Sequence, residues 1–168
     1  NGSAIGISVN FGKLTINGGT YTNVGAGDDS HYDLIYASWG GEIVINGGTF
    51  KCHTPKWTLN LKDEKASTTA QEAGTIVVKG GTFYGYNPSA STTENPTANF
   101  VALGYKVVEN NGVYTVVEEA GHIYAANAAD FAAAVANTEV ESITLSTNLD
   151  VETGVYVKRN VTVNLNGK

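Results

Sequence analysis

The sequence predicts an all-β chain wound as a parallel β-helix, a solenoid of stacked parallel strands. Three observations carry this. Residues 12–21 (GKLTINGGTY), 41–50 (GEIVINGGTF) and 74–83 (GTIVVKGGTF) are one phrase returning after 29 and then 33 residues. Such a phrase marks a repeat architecture, in which no copy buries its apolar side alone. Within each copy the apolar residues alternate, and the phrase closes on Gly-Gly-Thr-aromatic. The third copy carries Lys79-Gly80 where the others carry Asn17-Gly18 and Asn46-Gly47. A two-residue hairpin turn of the primed type tolerates Lys poorly at its first central position, whereas a solenoid corner needs only the glycines.

The elements follow in order. AIGISVN (4–10), DLIYASW (33–39) and WTLNLKD (57–63) alternate and precede the three phrases as strands. Within the phrases, Leu14 and Ile16, Ile43 and Ile45, and Ile76 and Val78 each share one strand face, since successive side chains point to opposite faces. The pairs Gly18-Gly19, Gly47-Gly48 and Gly80-Gly81 turn the chain. Tyr21, Phe50 and Phe83 then take equivalent places and can stack as a ladder. Loops 24–32 and 63–73 are polar insertions of the kind that gathers on a working face. Residues 86–100 read as an irregular connector, with Tyr84 and Tyr86 exposed near it. YKVVE and VYTVV flank Asn110-Asn111-Gly112, a hairpin signal, and that hairpin would cover the last rung's open edge. Asn127 is a candidate cap for a helix in which Ala129, Phe131, Ala132, Val135 and Ala136 have helical spacing, with Asn137 closing it. Alternation resumes over 141–152 and 154–168, with Ile143 and Leu145 as one pair and Val161, Val163 and Leu165 as another strip. The expected organisation is β-helix rungs with their connector over 1–100, a closing hairpin over 101–119, and a capping helix with the first strands of a second unit over 120–168. Both ends read as cut from a longer polypeptide of tandem units.

Composition narrows the function. Ten Lys and Arg against sixteen Asp and Glu give a net charge of −6. No basic stripe is present to neutralise phosphates, so nucleic acid is not an expected partner. No apolar run is long enough to span a membrane, and no insertion is expected. Cys52 is the single cysteine, which excludes a disulfide framework and a cysteine metal cluster.

The INGGTF phrase, the VALGYKVVENNGVYTVV segment and the ADFAAAVAN, ITLSTNLDV and NVTVNLNGK segments resemble a right-handed parallel β-helix family. That family occurs in surface proteins of gut bacteria and in structural proteins of their bacteriophages. The resemblance implies a right-handed β-helix with a closing hairpin and one short capping helix, located on a virion surface or at the cell surface. It brings no catalytic signature, because one β-helix hosts adhesins, fibres, depolymerases and lyases.

The chemistry is sparse. Asp28, Asp29 and Asp33 form the densest acidic cluster and are candidate Ca²⁺ ligands, although neither the calcium nonapeptide nor the EF-hand pattern is present. Asp33, Glu42 and Asp63 are available to a glycosidase pair, but nothing sets two of them across a cleft. Lys56, Lys62 and Arg159 lack a carboxylate cluster of the kind a lyase base needs. His31, His53 and His122 have no metal-ligand spacing and no triad partners. No cofactor and no catalytic residue is expected. Tyr32, Tyr36, Trp39 and Trp57 are candidate glycan contacts, since aromatic rings beside polar groups suit sugar faces, with core packing as the competing role for both tryptophans. The expected function is a structural and adhesive module of a virion fibre or tail-associated protein. It would act as a homo-oligomer or in tandem copies, with a host surface glycan as possible ligand. A tailspike-type depolymerase and a bacterial adhesin are the alternatives.

Overall fold

The computed structural model describes residues 6–25, 32–62, 73–94 and 96–168. Among the described residues the fold is mostly β, with one α-helix. It divides into two compact units, Asn1–Glu118 and Glu119–Lys168.

In the first unit each repeat gives one strand, paired in parallel with its counterparts, to each of three short, separate sheets. Strands β1 (Ile7–Asn10), β4 (Ile35–Ser38) and β7 (Leu59–Leu61) form the first, and β2 (Lys13–Ile16), β5 (Glu42–Ile45) and β8 (Thr75–Val78) the second. The third contains β3 (Thr20–Asn23), β6 (Thr49–Cys52) and β9 (Gly81–Tyr84). The repeated phrase fixes the register. Leu14 pairs with Ile43 and Ile43 with Ile76; Tyr21 pairs with Phe50 and Phe50 with Phe83. A register slip of one residue would turn every apolar side chain outward, so the alternation locks the alignment. The second glycine of each pair holds positive φ, at 100°, 124° and 111° for Gly19, Gly48 and Gly81, which is what lets the corner turn within two residues.

The core of this unit is built from the inward members of those pairs. Ile16, Ile43, Ile45, Ile76 and Val78 are buried, as are Ile35, Ala37 and Leu59 from the first sheet. Tyr21, Phe50 and Phe83 stack nearly parallel, with ring centroids 5.1 and 4.8 Å apart.

One end of these sheets is closed by residues 86–118. β11 (Val113–Glu118) pairs antiparallel with β9, and β10 (Tyr105–Asn110) pairs with β11 through a turn in which Asn111 and Gly112 both have positive φ. Val101 bridges to Val78 on the second sheet. The first sheet is covered differently. Glu94 accepts a hydrogen bond from the Leu61 amide at 3.1 Å, and the Tyr86 hydroxyl donates to the Leu59 carbonyl at 3.3 Å. Tyr86 is therefore buried, contrary to the exposure expected of it, because the irregular connector folds inward over β7.

In the second unit, β12 (His122–Ala125), β13 (Ser142–Leu145) and β14 (Thr162–Asn164) form a parallel sheet, with Ile123, Ile143 and Val163 in one register row. Asn127 caps helix α1 (Ala128–Ala136) by accepting from the Asp130 amide at 2.9 Å. Its buried positions are Ala134 and Val135, with Phe131 packed beside them, while Ala129, Ala132 and Ala136 face solvent. The helix lies where the spacing placed it, and because alanine does not discriminate between faces in so alanine-rich a helix, Phe131 and Val135 set its rotation. Arg159 closes the helix. Its guanidinium donates to the carbonyls of Ala134 at 3.1 Å and Asn137 at 2.7 Å, and also to that of Val140, which suits a cation at a helix C-terminus.

Candidate functional site

The corner that follows the first sheet is where side chains of chemical interest converge. β1 ends at Asn10 and β4 at Ser38. The next residues, Phe11 and Trp39, both adopt left-handed backbone, with φ of 58° and 50°. Bulky residues rarely do so. Their rings stack at 6.0 Å with a 30° tilt. Both face solvent, Phe11 being 79% and Trp39 39% exposed. The corner backbone is tightly bonded: the Phe11 amide donates to the Trp39 carbonyl at 3.1 Å, and the Glu42 amide to the Gly12 carbonyl at 2.8 Å. Gly41 is required by space as well, since a Cβ there would lie 2.1 Å from the Val9 carbonyl oxygen.

Polar groups border the two rings. Ser38 Oγ donates to Asn10 Oδ1, and Ser8 Oγ reaches the same oxygen at 3.5 Å. Across the corner, Lys13 and Glu42 form an ion pair at 3.3 Å. The Lys62 ammonium, following β7, lies 3.7 Å from the Trp39 ring centroid.

Of the four aromatic candidates, the structure brings only Trp39 into this cluster. Continued alternation would send Trp39 inward with Ile35 and Ala37. The left-handed φ breaks that alternation and turns the ring out, so a core role is excluded. Trp57 lies in a 3₁₀ turn (Pro55–Trp57), half-buried against the core, with Lys56 Nζ 5.1 Å from its ring. Tyr36 and Tyr32 are half-buried, and the Tyr32 carbonyl accepts from Asn23 Nδ2 at 2.7 Å. Phe11 escaped sequence reasoning altogether. Its signal was register: Phe11 stands to β1 as Trp39 stands to β4, each one residue past the strand.

Of the acidic candidates, only Asp33 and Glu42 fall among the described residues. Asp28 and Asp29, like His31 and Asp63, lie outside the described residues. Asp33 is fully buried and accepts from Asn60 Nδ2 at 3.3 Å, whereas Glu42 is exposed and paired with Lys13. No group of three potential metal-ligating side chains occurs among the described residues. Cys52 is buried, and that burial raises its thiol above its ordinary range. In the second unit His122 Nδ1 and Ser142 Oγ are 2.7 Å apart on neighbouring strands. This pair is a register neighbour of the kind that stabilises sheets, and no acidic hydrogen-bond partner of His122 is seen among the described residues. Among the described residues no helix is long and apolar enough to cross a membrane.

No protein-family model, curated protein or solved structure matches this chain.

Proposed function

We propose that this chain is a non-enzymatic structural and adhesive module, a right-handed parallel β-helix belonging to a virion fibre or tail-associated protein. The supporting observation is the unbroken register of its repeats. Each repeat supplies one strand to each of three sheets, in parallel register with its neighbours, and an aromatic stack lies at the same corner of every copy. A stack of this kind resists bending, because backbone hydrogen bonds and ring contacts both run along the stacking direction. The burial of Asp33 and the ion pairing of Glu42 favour a non-enzymatic role, since a glycosidase needs two carboxylates facing one substrate bond. Tandem copies or a homo-oligomer would turn weak contacts with a host glycan into avidity. The surface charge, −6 overall, disfavours unspecific attachment to polyanions.

Immunogold electron microscopy with antibodies raised against this chain tests the reading on the native assembly. Label along projecting fibres is the expected result. Label confined to the interior of the particle or cell, or shortening of a polysaccharide by the purified chain, would overturn it.

A further inference from the structure

We propose that Phe11 and Trp39 form a carbohydrate-binding strip for a neutral polysaccharide. The assignment deepens the adhesive reading above and rests on it. It begins with backbone strain. A residue other than glycine is strained at left-handed φ, and such strain persists where its surroundings over-determine it. Here the strain occurs twice, at equivalent corners, and both times on a large aromatic residue. Glycine stands next to each, at Gly12 and Gly40, so the chain places glycine at this corner yet keeps the rings.

Burial does not explain the Phe11 ring. Phe11 is 79% exposed and contributes nothing to the core. What the corner achieves is presentation. The Phe11 amide is tied to the Trp39 carbonyl, and Gly41 sits where no side chain fits. The two rings are thereby fixed before any ligand arrives, which lowers the ordering cost of binding.

The surroundings select the ligand. A sugar ring offers an apolar C–H face and a rim of hydroxyls. The exposed surface of Phe11, backed by Trp39, suits that face. Asn10, exposed beside Phe11, and the Lys13–Glu42 pair across the corner supply donors and acceptors for the rim. A neutral glycan fits better than an anionic one, because both cations at the corner are already engaged, Lys13 by Glu42 and Lys62 by the Trp39 ring, and the chain carries a net charge of −6. Because Phe11 stacks on Trp39 and Lys62 lies over the Trp39 ring, a sugar seats on Phe11 and meets only the exposed part of Trp39.

The probe is a printed oligosaccharide array carrying neutral and anionic glycans, followed by titration of the neutral hits against the intact chain, monitored by tryptophan fluorescence. A Trp57→Phe variant assigns the signal to Trp39. Binding to neutral oligosaccharides is expected, with affinity lower by about tenfold or more in Trp39→Ala and Phe11→Gly. Phe11→Gly separates recognition from folding: glycine relieves the left-handed strain, so its melting temperature should hold or rise while binding is lost. No neutral hit, hits on anionic sugars alone, affinity unchanged in both variants, or a lowered melting temperature in Phe11→Gly would each overturn the assignment. Fibre label without glycan binding would remove the strip and leave the fibre reading standing. Glycan bound at the strip and then cleaved would do the reverse.

Discussion

Tyr86 shows how much one side chain can carry. Its ring is buried and tilted against Phe83, with centroids 6.2 Å apart, and its hydroxyl bonds the Leu59 carbonyl. Burial pushes its ionisation well above the ordinary value of 10.0, and the nearby Glu94 charge adds to that. In the unfolded chain Tyr86 would lose its proton near pH 10, while the folded chain keeps it. Above that pH the folded state binds more protons than the unfolded, so stability falls as pH rises. Cys52 adds the same sign from about its own ordinary value of 9.0. Urea midpoints measured from pH 7 to 11 should therefore drop above pH 9 to 10. A Tyr86→Phe variant should show a shallower drop above pH 10, by up to about 1.4 kcal/mol per pH unit. Equal slopes in the two proteins would rule out this account. The sequence concealed Tyr86 because its neighbourhood, rich in Pro, Ser and Thr, has the composition of a surface loop. Composition describes the connector's irregular backbone correctly and says nothing about which of its side chains turns inward.

The elements divide by how local their determinants are. The strands were legible because the phrase states its own alignment: once Leu14, Ile43 and Ile76 are equivalent, parallel pairing between copies follows. The hairpin was legible from Asn111-Gly112, where two positive φ angles are needed in succession. The exposed corner was legible only in part. Alternation predicts where a strand points its side chains, but Trp39 lies one residue past the strand, where a single dihedral reverses the outcome. The cover over β7 depends on contacts far apart in sequence and could not be read. Glu94 reaches back to the Leu61 amide across 33 residues and accepts from Thr93 Oγ1 at 3.3 Å, within a buried group that includes Ser91. Removing that carboxylate in Glu94→Ala would leave an edge amide without its acceptor, at a cost of about 1–3 kcal/mol. Chemical denaturation should register the loss, and the Leu61 amide should exchange its hydrogen faster. Unchanged exchange at Leu61 would mean that Glu94 does not close this edge.

At the scale of the whole molecule, the two units bury separate cores of unequal size. The first packs Ile16, Ile35, Ile43, Ile45, Phe50, Leu59, Val78 and Phe83, among others, around its aromatic stack. The second relies on Ala125, Ala134, Val135, Val140, Ile143 and Leu145. Alanine buries little apolar area, and β14 is exposed along its length. Small units also bury a lower fraction of their surface, which leaves them marginal. Residues 119–168 should therefore unfold first. The spectroscopic probes separate cleanly: both tryptophans, Trp39 and Trp57, lie in the first unit, and the α-helix lies in the second. In a urea titration, circular dichroism at the helical minimum should lose amplitude at lower denaturant than tryptophan fluorescence does. Arg159 sharpens the test. Its guanidinium holds the carbonyls of Ala134, Asn137 and Val140, so Arg159→Ala should move the helical transition to still lower urea and leave the fluorescence transition in place. Coincident transitions that shift together in the variant would show one cooperative unit in place of two.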